Sequence, residues 1–529
     1  MTGRQDTVTS FPLLAEASRL ISDGKLEFAA RRTIAHLRRH PDEPRGLAQL
    51  GQIALQLGAL GQAENFLRRA IEHGAKDFET RRNLASVLNQ QERVDEAHAM
   101  FEQLSKETDD PSLRAIRALI FDKLGHNDEA LATLEGLTNE YPERPHYWIS
   151  YGHSLRATGR VDDAIAAYRT AAAADYELGD AWWSLASIKK RVLTDADMKN
   201  IRRGIAVAID IRNSAPLHFA LARALHDREE YQEAFEHYAE GNRQRAESLG
   251  YDAAELTAEI AETERSVDTN YIVAQQSAME NEAAPVFVVS LPRSGSTLLE
   301  QMLGSHPDVE PVGELPYAPA ILRSAMEMAT RKSPVTVPRL IAQLSDDQAE
   351  AMGRDYLRRA ALHRKTERPY FVDKLPHNWS NILFIRRILP HARFIDIRRN
   401  PIDCCFSNFT QSFSSAHASS FALKDIGQCY VDYTRLMRHF DRVAPGMIYH
   451  VGYERLIEHA ESEMKAVLGY LGLAWTPSVL EFHRLERVVR TPSSEQVRRP
   501  LNRDGVDAWK PYAEWLGPLN EVLAALPDQ

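Results

Sequence analysis

With 529 residues, 44% of them hydrophobic and 26% charged, the chain has the composition of a soluble globular protein and the length of two to four domains. A net charge of −10 is mild for that length and gives no reason to expect nucleic acid or a polyanion as a partner. Residues 1–20 hold no apolar h-region, and no window approaches the roughly 18 uninterrupted apolar residues of a membrane helix, so neither a secretory signal nor a membrane span is expected.

Residues 10–245 repeat themselves. Ala29, Ala63, Ala97, Ala130 and Ala164 recur at spacings of 34, 34, 33 and 34, and Ala234 falls two repeats further on. A turn residue stands five positions before each alanine (Gly24, Gly58, Gly125, Gly159), and a large one stands four after it (Leu67, Phe101, Leu134, Tyr168). Small residues let the two helices of a repeat approach closely, and large ones fill the space between repeats. The copy beginning at Pro145 is the fullest, with Trp148, Tyr151, Gly152, Gly159, Ala164, Tyr168 and Ala171 in register. Period and frame resemble the tetratricopeptide repeat, in six or seven copies with the sixth, from about residue 179 to 214, degenerate. Such a solenoid offers a groove to a peptide or protein, or serves as a spacer or homodimer element.

Residues 246–283 are charged and rich in Ala and Glu, and read as a connecting helix and a polar linker. At Pro285 the pattern changes. Val286–Val289 is a short β-branched run, predicted as a buried parallel strand, and it runs straight into Pro292-Arg293-Ser294-Gly295-Ser296-Thr297 and an apolar helix. Strand, Gly/Ser loop and helix in that order make an anion cradle, with backbone N–H groups, the helix N-terminus and hydroxyls turned to one point. The loop lacks both the first glycine and the lysine of a P-loop NTPase, G-x-x-x-x-G-K-[ST]. A plain helix-capping turn is the bland alternative, and Arg293 argues against it.

A second strand, Arg393–Ile397, ends in Arg398-Arg399-Asn400-Pro401 where an NTPase would place a metal-holding carboxylate. Pro401 should start a helix. Ser407, eight residues past Arg399, is then expected to face back toward that arginine. Guanidinium and hydroxyl together read as a second phosphate site, distinct from the first. Two phosphate sites without metal ligands suit a nucleotide with a separate 3′-phosphate.

On these motifs the half from about 285 to 525 resembles the sulfotransferases, and among them the protein-tyrosine sulfotransferases and their bacterial relatives. The resemblance rests on PRSGSTLLEQMLGSHPDVEPVGEL, RRNPIDCCFSNF, VGYERL and RTPSSEQVRRPLNRDGVDAW, in the family's order. It implies a multidomain α plus α/β protein: an all-α tetratricopeptide solenoid (10–245), a helical linker (246–283) and a P-loop-like domain with a central parallel sheet (284–529).

It also implies a metal-independent enzyme using 3′-phosphoadenosine 5′-phosphosulfate (PAPS) as co-substrate. Arg293, Ser294, Gly295, Ser296 and Thr297 would hold the 5′-phosphosulfate, Arg399 and Ser407 the 3′-phosphate, and Tyr453 and Ser494 further parts of the nucleotide. Glu314 would be the base, its pKa raised by partial burial, with Arg293 and Lys374 as the catalytic cations. Asp373 offers Lys374 an alternative ion-pair partner. His377 reads as structural or acceptor-facing, His306 as a helix-end residue, and Cys404 and Cys405 as packed against the sheet. With Cys429 they are too few for a disulfide framework or a zinc site, and a reducing cytoplasm is expected.

The family's basic residue before the last-segment tryptophan is replaced by Ala508, with Lys510, Arg498 or Arg503 as candidate substitutes. The acceptor is expected to be a protein tyrosine presented by the array. A lipid, glycan or small phenol, or a scaffold whose catalytic half is a relic, are the alternatives.

Overall fold

The computed structural model describes residues 11–188, 190–275, 284–330, 334–485, 487–491 and 494–527. The linker reading for 276–283 lies outside them. Two compact units emerge: Met1–Ala130 with Ala320–Val335, and Leu131–Pro319 with Thr336–Gln529. The division therefore falls inside the repeat array, after its fourth alanine, rather than at its end.

In the first unit, helical hairpins follow the repeat frame. Pro12–Ser22 packs on Leu26–Leu37, Pro44–Gln56 on Leu60–Glu72, and Phe78–Gln90 on Val94–Ser105. Ala29, Ala63 and Ala97 are wholly buried, and a Cβ on Gly51 would run into Leu67, so the small residue is what admits the large one. The turn needs a left-handed residue: Gly24 and Gly58 supply it with φ of 72° and 75°, and where the sequence has no glycine, Glu92 takes φ 57°. Ala320–Val335 belongs to this unit because Glu327 accepts from the N–H groups of Gly61 (3.0 Å) and Gln62 (3.2 Å) at the start of Leu60–Glu72.

In the second unit the array continues with Pro145–Ala157 on Val161–Ala174, and Ile211–His226 on Tyr231–Leu249. Between them the sixth copy is reduced. Gly179–Ala186 has eight residues, and it and Asp195–Val207 both pack chiefly against Ile211–His226 rather than on each other. This array end and the α/β half share a polar and aromatic seam. Arg156 makes two hydrogen bonds to Glu495 (2.7 and 3.3 Å), Asn242 donates to the Phe409 carbonyl (2.8 Å), and His226 bonds the Tyr512 hydroxyl (2.8 Å).

Five parallel strands form the sheet, in the order β2 (Val309–Gly313), β3 (Tyr370–Asp373), β1 (Ala284–Val289), β4 (Arg393–Arg398), β5 (Ile448–Gly452). Val286–Val289 are fully buried at its centre, as a strand covered on both faces requires. The chain leaves β1 for β2 and β3 on one side, then crosses to β4 and β5 on the other. A crevice is thereby left at the C-terminal ends beside β1, where open α/β sheets bind ligands. No helix among the described residues is long and apolar enough to cross a membrane.

Candidate functional site

All five strand ends contribute. β1 runs into Ser290–Gly295 and the helix Ser296–Gly304; β2 ends before Glu314, β3 before Lys374, β4 before Arg399 and β5 before Tyr453. The loop is held in a conformation few residues adopt. Arg293 has φ 69° and Gly295 φ 97°, and a Cβ on Gly295 would collide with the Tyr453 ring. Glycine is thus required twice, by backbone and by neighbour.

Two adjoining cavities open over the loop, of about 270 Å³ and about 360 Å³, both lined by Arg293, Gly295, Tyr453 and Arg499. Together they offer the volume a nucleotide-sized ligand needs, a few hundred Å³. Ser296, Thr297, Glu314 and Lys374 line the first; Arg399 and Ser407 line the second.

At the first cavity, Lys374 Nζ bonds Glu314 Oε1. Lys374 is 1% exposed and the Glu314 side chain 42% exposed, so the partial burial expected of the base is not found. The carboxylate stands at the open edge, on a buried ammonium. Its backbone is nonetheless fixed on both sides: Gly313 donates to Glu300 Oε1 (3.1 Å), Lys374 N–H donates to the Gly313 carbonyl (2.9 Å), and Leu315 N–H donates to Asp373 Oδ1 (3.2 Å). Asp373 is not the partner of Lys374. Strand alternation turns it inward, where it accepts from the Tyr356 hydroxyl (2.7 Å), and burial pushes its carboxyl up to about 7. The sequence reading gave Glu300 no role, although its place on the apolar face of Ser296–Gly304 marked it as a buried carboxylate needing a partner; Arg487 is that partner (2.8 Å).

At the second cavity, Arg399 is 7% exposed and tightly tied: Nη1 donates to the Arg293 carbonyl (3.1 Å), and Nη2 to Asp403 Oδ1 (3.3 Å) and to the Gly505 carbonyl. Its Nε is buried without a partner, a donor left for a ligand. The guanidinium also lies over the Tyr453 ring, 5.4 Å from its centre. Arg398 does not join it. Its Nε donates to the fully buried Asp396 (2.6 Å), which His450 also bonds (2.8 Å), so only one of the paired arginines reaches the site. Ser407 faces Arg293 rather than Arg399, its Oγ accepting from Arg293 Nε (3.2 Å). The two anion sites read as distinct are therefore joined through Arg293. Burial and the neighbouring Arg399 lower the Arg293 guanidinium to about 10, a cation still charged at neutral pH.

Some predicted residues lie elsewhere. Ser294 is buried with its hydroxyl on Cys404 Sγ (3.3 Å), and Ser494 is buried and lines neither cavity. Cys404 is buried against the loop, its sulfur 3.6 Å from the Pro292 carbonyl, and burial raises its thiol to about 11. His306 is buried just past the helix end, bonded to the Ala474 carbonyl (2.9 Å). His377 lies edge-on to Trp379 and to His417, and His417 lines the first cavity. Of the three proposed substitutes for the base at Ala508, Lys510 pairs with Asp507, Arg503 with Glu458, and Arg498 reaches the Arg487 carbonyl; Arg499 is the basic residue of that segment that lines both cavities.

Residues 285–477 match the model of the Sulfotransferase family. This stretch is similar to the sulfotransferases. Tetratricopeptide repeat models match residues 54–120 and, in two overlapping copies, 117–177 and 149–188. An uncharacterized protein of Aquifex aeolicus (strain VF5) is 28% identical over 535 residues, covering 96% of this chain and 67% of its own. Over the sulfotransferase-family half, protein-tyrosine sulfotransferase 1 of Danio rerio is 27% identical over 242 residues, 42% of this chain and 65% of its own. Protein-tyrosine sulfotransferase 2 of Gallus gallus is 27% identical over 258 residues, 46% and 67%. Each match spans about two thirds of the relative's length.

Proposed function

We propose that the chain is a PAPS-dependent sulfotransferase whose acceptor is a protein tyrosine presented by the repeat array. The observation that carries this reading is the meeting, in one crevice, of the Glu314–Lys374 pair and the anion cradle of Arg293–Thr297. PAPS supplies a sulfo group activated as a phosphosulfate anhydride, so the protein needs to position, neutralise and remove one proton.

Arg293, Gly295, Ser296 and Thr297 hold the 5′-phosphosulfate, and Arg399 with Tyr453 holds the 3′-phosphate end. Ser407 acts through Arg293, which it orients. Lys374 can exchange the Glu314 carboxylate for a sulfo oxygen, and the released carboxylate takes the acceptor hydroxyl's proton as the new sulfur–oxygen bond forms and the bond from sulfur to the bridging phosphate oxygen breaks, releasing 3′-phosphoadenosine 5′-phosphate. The exposure of Glu314 gives an acceptor on a polypeptide direct access. The likeness of this half to two protein-tyrosine sulfotransferases favours tyrosine.

Sulfate-labelled PAPS incubated with the full chain and a cell lysate tests this. The expected result is label in protein, recovered as tyrosine O-sulfate after alkaline hydrolysis. Label confined to lipid, glycan or small phenols overturns the acceptor, and absence of both transfer and 3′-phosphoadenosine 5′-phosphate binding overturns the sulfotransferase reading.

A further inference from the structure

The larger cavity has a wall that does not come from the sulfotransferase-family segment. Trp183, Ser187, Arg223 and His226, from the later part of the array, line it together with Arg293 and Arg399. Arg223 stands on the helix Ile211–His226 between fully buried neighbours, Ala222 and Leu225 among them, so repeat packing does not need its charge there. Its Nη2 pairs with Asp227 one turn on (3.0 Å), while its Nε is buried without a partner.

The charges of the cavity do not balance. Four arginines line it, Arg223, Arg293, Arg399 and Arg499, against two aspartates, Asp403 and Asp504. Burial, Arg399 and, more weakly, Arg223 all disfavour the charge on Arg293. Like charges gathered in a half-enclosed space are costly unless an anion answers them; with Asp227 beside Arg223 counted, one positive charge is left over, and a phosphate group would answer it. Trp183 adds an aromatic surface that repeat packing leaves half-buried, its ring edge-on to Phe219 at 5.7 Å, whereas Trp182 beside it is 3% exposed in the core.

We propose that Arg223 is a nucleotide-binding residue supplied by the repeat array, holding the 3′-phosphate of the donor opposite Arg399. The array is then part of the donor site as well as an acceptor platform, and the sulfotransferase-family segment alone has an incomplete pocket. This rests on the reading of the cavity as a PAPS site.

Binding to the full chain by calorimetry, with 3′-phosphoadenosine 5′-phosphate and adenosine 5′-phosphate, provides the test, because the two ligands differ only in the 3′-phosphate. Arg223→Gln should weaken the first about tenfold to a hundredfold, as loss of a charge-assisted hydrogen bond does, and the second less than twofold. Arg223→Lys should recover part of the loss. Equal weakening of both ligands, or of neither, overturns the proposal while leaving the sulfotransferase reading intact. Failure of the unmutated chain to bind 3′-phosphoadenosine 5′-phosphate overturns the reading beneath it.

Discussion

The Glu314–Lys374 end of the crevice and the Arg399 end are both made where parallel strands stop, yet they hold charge in opposite ways. Arg399 is locked by two backbone carbonyls and a buried carboxylate, with its Nε left without a partner. Glu314 meets its cation by one pair at the solvent edge, and what is rigid there is the backbone on either side. An end whose donors are fixed before the ligand arrives loses little entropy on binding, which suits recognition. An end whose ion pair can exchange partners suits a group that must be charged, protonated and recharged in each turnover. On the proposed function, the contrast separates holding the donor from reacting it.

The largest expected effect tests the reactive end. Glu314→Gln keeps shape and removes the base, and should lower kcat about a thousandfold while the affinity for 3′-phosphoadenosine 5′-phosphate stays within about twofold. Turnover within tenfold of the original would move the base elsewhere in the crevice. The next effect tests the anchored end. Arg399→Ala should weaken 3′-phosphoadenosine 5′-phosphate by roughly 2–3 kcal/mol, about 30- to 160-fold in Kd. The substitution also leaves Asp403 without its cation in a buried place, so Arg399→Ala with Asp403→Asn should restore folding stability without restoring affinity. Recovery of affinity in the double variant would mean that Arg399 only neutralises Asp403.

Much of this contrast could be read from the chain, and the unreadable part has a common cause. The strand–loop–helix around Arg293 is local: periodicity changes at Pro285, and glycine and serine stand where a cradle needs them. The repeat frame is local too, down to the turn five residues before each alanine, where Glu92 and Glu229 carry the left-handed φ that glycine carries elsewhere. The placing of side chains by remote neighbours was not legible. Ser407 sits two helical turns from Arg399, as expected, but the loop's Arg293 claims it. Glu314 remains exposed because no element among the described residues covers it, a fact about chain segments far away in sequence. Strand alternation did contain one missed answer. Arg398 and Arg399 follow one another at a strand end and must diverge, and so must Asp373 and Lys374. Arg223 had no local sign at all, since on its helix it looks like any partly exposed arginine.

The smallest effect probes what keeps Arg398 out of the crevice. Asp396 is fully buried and receives Arg398, the Tyr433 hydroxyl and His450, whose other nitrogen bonds Asp441 (2.9 Å). Burial opposes the imidazolium, but hydrogen bonds to the two aspartates raise its pKa to about 9 from 6.5. A raised folded-state pKa means that the stabilisation is complete below pH 6.5, fades as pH climbs, and is gone above pH 9. Urea unfolding should show the native chain losing on the order of 2 kcal/mol across that window relative to His450→Gln, whose profile should be flatter. Because Asp396 still holds Arg398 in the variant, 3′-phosphoadenosine 5′-phosphate should bind both proteins alike at pH 7. Parallel stability profiles would show that the imidazolium is not the charge on Asp396. A loss of nucleotide affinity in the variant would show that the sorting of the two arginines, and with it the rigidity of the anchored end, depends on His450.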